Sequence, residues 1–226
     1  MKLAWQQIPS TVISDILCQI KLDGVVIDTE HGCFNNETLF SCIQLITANR
    51  KKCFVRLTEV NETLIRICLD CGVDGIIFST VETEEGAAKI HQLCKYPKFK
   101  GNRGLGLVRQ NRWGASDLVV SPPVLIAQIE TKRGVDNLKE IKQYNFDYYM
   151  IGPYDLSASM GVPAQFDSKE YLSAVARIRD LIPSNQMAVH IPTDVQNQIK
   201  KYDGYGIIAV GMDTTTLLEG YKKWIF

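Results

Sequence analysis

"CFVRLTEVNETLIRICLDCGVDGIIFS", residues 53–79, holds a complete strand–helix–strand unit. Its ends, 53–57 and 75–79, are short apolar runs of Val, Ile and Phe, the composition of parallel strands buried on both faces. Between them Asn61 stands as a helix cap ahead of Leu64, Ile65, Cys68 and Leu69, which share one apolar face, and Gly72 supplies the stop. The same alternation runs outward in both directions. Strand candidates are "KLAW", "GVVID", the two runs above, "VLIAQIE", "YYMIG", "MAVHI" and "GIIAVG", and Thr83 ahead of two glutamates opens a further helix through Ala87, Ile90 and Cys94. Eight strands alternating with helices is the count of a TIM (β/α)8 barrel. A doubly wound open sheet competes, but it would carry a glycine-rich phosphate turn after the first strand, and "WQQIPST" is not one. No linker or low-complexity break divides the chain, so residues 1–226 are expected to form a single domain. One long irregular segment, 96–123, contains "KGNRGLGLVRQNRWG", and a loop of that length in a compact barrel is expected to be functional.

Composition narrows the function. The 226 residues carry 25 basic and 25 acidic side chains, so there is no electrostatic footprint for nucleic acid or an anionic membrane surface. No leader-like start and no apolar run of about 20 residues is present, which reads as a soluble, cytoplasmic protein. Expected partners are small molecules or copies of the chain itself. All seven cysteines fall in the first 94 residues without a disulfide framework, and reduced thiols are expected. "CLDC" at 68–71 has redox or zinc spacing but lacks a second ligand pair, and Cys68 lies on the apolar helix face, so packed core thiols are the simpler reading.

Barrel enzymes build their sites at the C-terminal strand ends. "GVVIDTEHGC", residues 24–33, ends a buried strand on Asp28, Glu30 and His31. The same rule collects Arg56, Gln128 with Glu130, Asp155, His190 and Asp213. A buried carboxylate needs a partner or a cation, since an isolated buried charge costs several kcal/mol. Glu130 and Asp155 come from neighbouring strands, and two carboxylates completed by waters and a chelating substrate suit a Mg²⁺-like ion. An ordinary Arg or Lys partner is the other reading. His91, on an amphipathic helix, reads as structural.

Six stretches in order, "DGVVIDTEHG", "VRLTEVNETLIRICLDCGVDGII", "NRGLGLVRQNRWG", "IAQIETKRGVDNLKEI", "DYYMIGPYDLSASMG" and "IIAVGMDTTTL", resemble the HpcH/HpaI aldolase/citrate lyase family. The resemblance implies a metal-dependent TIM-barrel aldolase that reversibly splits a 4-hydroxy-2-oxo acid into pyruvate, or a related 2-oxo acid, and an aldehyde. It implies Mg²⁺, Mn²⁺ or Co²⁺ on Glu130 and Asp155, a catalytic His31 oriented by Asp28, a catalytic Arg56 and an active-site Gln128. Gly152, Pro153 and Tyr154 would wrap the substrate carboxylate. Glu30 is left between support of the site and a surface ion pair. Arg112 matches a loop near the family's site, where it would serve folding, subunit contacts or substrate, and Asp70 matches an aspartate that reaches a neighbouring subunit, so a homo-oligomer is expected, although the closing helix "LLEGYKKWIF" is short. Ser79, Thr80, Tyr154 and His190 depart from the family's usual residues at the mouth, which points to an altered substrate preference. Related citrate-lyase-beta or malyl-CoA-type lyases, and a non-catalytic binding barrel, are the alternatives.

Overall fold

The computed structural model describes residues 1–58, 60–116 and 121–225. Eight strands close into a barrel in chain order: β1 (Lys2–Gln6), β2 (Gly24–Asp28), β3 (Lys52–Leu57), β4 (Gly75–Phe78), β5 (Val124–Ile129), β6 (Tyr148–Ile151), β7 (Met187–Ile191) and β8 (Ile207–Val210), with β8 pairing back onto β1. Every described pairing is parallel. Helices α1 (Thr11–Gln19), α2 (Asn36–Ala48), α3 (Glu62–Cys71), α4 (Glu84–Cys94), α5 (Lys132–Asp136), α6 (Leu138–Lys142), α7 (Pro153–Ser159), α8 (Lys169–Leu181), α9 (Val195–Gln198) and α10 (Asp213–Ile225) fill the connections.

Side-chain alternation along each strand makes two cores. Leu3, Trp5, Val26, Phe54, Ile77, Ile126, Met150 and Ile207 point inward and fill the barrel, while Val25, Ile27, Val55, Ile76 and Leu125 face the helices. The helix signals act as the sequence indicates. Asn61 accepts the Leu64 N–H at 3.0 Å, Thr83 accepts that of Gly86 at 3.1 Å, and Gly72 closes α3 at φ +89°, a conformation a side chain would strain.

No disulfide forms among the described residues, and Cys68 and Cys71 are buried. Burial raises both thiols, Cys71 to about 11, so the CxxC is core packing rather than a reactive pair. Within 96–123 the structure shows two 3-10 turns, Pro97–Phe99 and Arg109–Gly114; residues 117–120 lie outside the described set.

Candidate active site

Register decides the first half of the site. Asp28 on β2 pairs directly with Arg56 on β3, so both side chains leave the sheet together at its C-terminal edge. Arg56 Nε and Nη2 donate to the two oxygens of the fully buried Asp28 at 2.9 and 2.7 Å, and Nη1 reaches Glu30 at 2.6 Å. Trp5 Nε1 donates to the same Asp28 carboxylate at 3.2 Å, and the Glu30 backbone N–H donates at 3.1 Å. Burial acts to raise the Asp28 carboxyl; the hydrogen bonds and charge of Arg56, with the Trp5 donor, outweigh it and hold the group below the ordinary carboxylate range. Glu30 is therefore part of the site's ion-pair network.

His31 departs from its expected tether. Asp28 receives only the His31 backbone N–H, at 3.4 Å, because both its oxygens are committed to Arg56. The imidazole is 59% exposed, with Nε2 3.9 Å from Glu30, so Glu30 is the carboxylate beside the ring.

The second half lies across the barrel at the ends of β5 and β6. Glu130 is buried, and its Oε1 accepts from the Thr80 N–H at 2.6 Å and the Thr80 hydroxyl at 2.7 Å, while Gln128 Nε2 donates to Oε2. Thr80 makes both contacts from a left-handed backbone at φ +54°, costly for a β-branched residue and held here by the carboxylate it serves. Burial raises the Glu130 carboxyl, and Glu30 and Asp155 push it the same way against the Thr80 donors. Asp155, exposed in the first turn of α7, is thus close enough to be felt electrostatically. Gly152 packs directly against Glu130 and Gln128, where an added Cβ would fall 2.5 Å from Glu130 Oε2 and 2.8 Å from Gln128 Nε2. Only glycine allows this close approach.

These residues fit a divalent cation. Glu130 and Asp155 supply hard oxygen donors near each other, and Gln128 Oε1 is buried without a partner, an acceptor free for an ion's bound water. Both halves border one cleft of about 340 Å³, whose walls include Trp5, His31, Arg56, Gln128, Asp155 and His190. His190 stacks on Trp5 with ring centroids 4.0 Å apart and 10° between planes, and its Nε2 lies 2.9 Å from the Gly211 carbonyl oxygen. Burial lowers its pKa to about 4. Gly152, Pro153 and Tyr154 border the same cleft, with the Tyr154 ring set edge-on to Phe166 at 5.2 Å.

Three further residues stand outside this chain's own cleft. Arg112 lies in the Arg109–Gly114 turn, which Arg109 fastens to α3 and α2 through the Cys71 carbonyl at 2.5 Å and Thr47 Oγ1 at 2.7 Å, and it does not border this chain's cleft. Asp70 is paired within its own chain to the buried Arg103 at 2.9 Å, so it does not need an external cation. Asp213 is buried, accepting the backbone N–H groups of Gln7 and Ile8 at 2.9 and 2.8 Å, and acts as a brace between β1 and α10. Two residues of the site were not singled out for it in the sequence, Trp5 and the clamp role of Thr80. Trp5 follows the same strand-end rule as the others but looks like any core aromatic.

An eight-stranded parallel barrel with its charged cleft at the C-terminal strand ends defines a TIM-barrel enzyme. Residues 4–220 match the HpcH/HpaI aldolase/citrate lyase family model, and the chain belongs to that family. A 4-hydroxy-2-oxovalerate aldolase of Rhodococcus jostii is 28% identical over 223 residues, covering 95% of this chain and 86% of its own. A 2-keto-3-deoxy-L-rhamnonate aldolase of Escherichia coli is 28% identical over 220 residues, covering 93% and 82%. Among solved structures, a family protein from Burkholderia cenocepacia matches with a TM-score of 0.90 at 24% identity, covering 100% of this chain and 93% of that one, a likeness of fold. Membership makes the chain a lyase of the aldolase type.

Proposed function

We propose that this protein, a single-domain barrel over residues 1–226, is a divalent-metal-dependent aldolase. It splits a 4-hydroxy-2-oxo acid into pyruvate, or a close 2-oxo acid, and an aldehyde. The observation that carries this reading is the Glu130–Asp155 pair after adjacent strands, with the unpartnered Gln128 Oε1 and Arg56 lining the same cleft. Glu130 and Asp155 would hold the ion, Mg²⁺, Mn²⁺ or Co²⁺. When bound, the ion supplies a Lewis acid for the negative charge that develops on the substrate's C2 oxygen. A guanidinium has five N–H groups, and Asp28 and Glu30 engage three on Arg56, so two remain for that oxygen. His31, exposed on the cleft, accepts the proton of the 4-hydroxyl, a task an imidazole performs near neutral pH. The C3–C4 bond then breaks, its electron pair moves onto C3 and is shared with the C2 oxygen, and the aldehyde departs. Protonated His31 returns its proton to C3, so nothing but the substrate is consumed.

Among the described residues no helix is long and apolar enough to cross a membrane, and we place the enzyme in the cytoplasm. Exposed Leu218, Tyr221, Trp224 and Ile225 on α10 support self-association, which sedimentation of the protein at micromolar concentration checks. The activity itself is tested by pyruvate release from a panel of 4-hydroxy-2-oxo acids, with and without EDTA. Chelator-sensitive release from at least one member is expected; no release from any member in the presence of Mg²⁺, Mn²⁺ or Co²⁺ overturns the assignment.

A further inference from the structure

The reaction above uses the ends of β2, β3, β5 and β6. The remaining arc of the cleft, from β7, β8 and β1, is lined by His190, Pro192, Met212, Trp5 and Gln7, with Tyr154 at its edge. It is the space left for the part of the substrate beyond C4.

This arc has no cation of its own. Among the described residues bordering the cleft, Arg56 is the one Arg or Lys, and Asp28 and Glu30 already hold it. His190 is kept neutral by burial and by the nearby charge of Arg56. Asp28, Glu30, Glu130 and Asp155 together outweigh Arg56 and a divalent ion, and the substrate adds a carboxylate at its head. A second carboxylate on the tail would therefore enter a negative, partly apolar space with nothing to pair it.

What the arc does offer is a hydrogen-bond pair. The Gly211 carbonyl can only accept, so it fixes the His190 proton on Nε2 and leaves a lone pair on Nδ1. The Thr214 hydroxyl donates to Gln7 Oε1 at 3.1 Å, which orients that amide and leaves its NH₂ as a donor. One acceptor and one donor on an aromatic wall match a hydroxyl group, which both gives and takes.

We propose that the aldehyde half of the substrate is uncharged and hydroxylated, seated against the Trp5–His190 wall, and that 4-hydroxy-2-oxo acids bearing a second carboxylate are rejected. The proposal rests on the aldolase reading and specifies its substrate class. Isothermal titration of the Mg²⁺-loaded protein with 2-oxohexanoate and 2-oxoadipate, which share a head and a chain length, reads the charge preference without catalysis. The monocarboxylate is expected to bind at least tenfold tighter, and equal or tighter binding of the dicarboxylate overturns the proposal. In cleavage assays, a hydroxyalkyl substituent at C4 is expected to give kcat/KM at least 100-fold above a carboxyalkyl one. Gln7→Lys, which places a cation on the arc, should narrow that gap at least tenfold. His190→Phe keeps the stack and loses Nδ1, so the ratio of kcat/KM between hydroxyalkyl and methyl substrates should collapse toward one; an unchanged ratio removes the hydroxyl from the proposal. If no 4-hydroxy-2-oxo acid is cleaved, the aldolase reading fails, while the order of binding in the titration still decides the character of the arc.

Discussion

Replacing Asp28 with Asn changes one atom at the point where β1, β2 and β3 meet. Asp28 is fully buried, accepts two guanidinium hydrogen bonds from Arg56 and takes a third bond from Trp5. The amide keeps the shape but turns an NH₂ toward the Arg56 donors, and the guanidinium loses its principal counter-charge. Removing one member of a buried ion pair costs about 3–5 kcal/mol. Glu30 still stands 2.6 Å from Nη1, so the lower end applies, about 3 kcal/mol. For a chain of this length that is a fall in Tm of about 6–12 °C. Circular-dichroism melts of wild type and Asp28→Asn at pH 7.5 measure it. The double variant Asp28→Asn/Arg56→Met should recover at least half the loss, because the stranded charge has gone with its partner. The pH dependence has a definite sign. The folded-state pKa of Asp28 is depressed, so its contribution is present above the unfolded value, near 3.9, and is lost as pH falls through the folded value. The gap between wild type and variant should therefore close only in strong acid. A drop below 2 °C at pH 7.5 refutes the view that this pair organises the site.

His31→Ala should lower cleavage about 100-fold while metal and pyruvate binding persist in titrations; unchanged cleavage removes His31 as the base. Thr80→Ala deletes the 2.7 Å hydroxyl donor to Glu130, a charged hydrogen bond of about 2 kcal/mol, and should lower Tm by about 4–8 °C. An unshifted melt means the hydroxyl does not hold the carboxylate. Burial lowers His91 and His190 to about 4, so the unfolded chain binds protons that the folded one refuses, and stability falls as pH drops from about 6.5 toward 4. Melts from pH 7.5 to 5 should show this decline, flattened in His190→Gln; parallel profiles contradict it.

The barrel was legible because its strands are buried on both faces, and short Val/Ile/Phe runs broken by capped helices have few other uses. The strand-end rule also found Asp28, Arg56, Gln128, Glu130 and Asp155. Partners were harder to read than positions. Asp28 sits three residues from His31 in the chain, which invites a local pairing, but the β2–β3 register places Arg56 directly opposite, and a fork-shaped cation wins both carboxylate oxygens. The partner of Asp70 was not legible, because Arg103 comes from an irregular segment whose path no periodicity encodes. Thr80 stood out only as a departure from the family's usual residue, and its role as a clamp depends on a left-handed backbone the sequence does not announce.

The most direct test of the central claim is the binding of Mn²⁺, followed by electron paramagnetic resonance, to wild type, Glu130→Gln and Asp155→Asn, with pyruvate release measured on the same samples. Wild type should bind one ion per chain and lose activity in EDTA, and each variant should lose Mn²⁺ affinity and activity together while its melt stays cooperative. Full Mn²⁺ affinity in both variants, or full wild-type activity in EDTA, would contradict a metal-dependent aldolase built on Glu130 and Asp155.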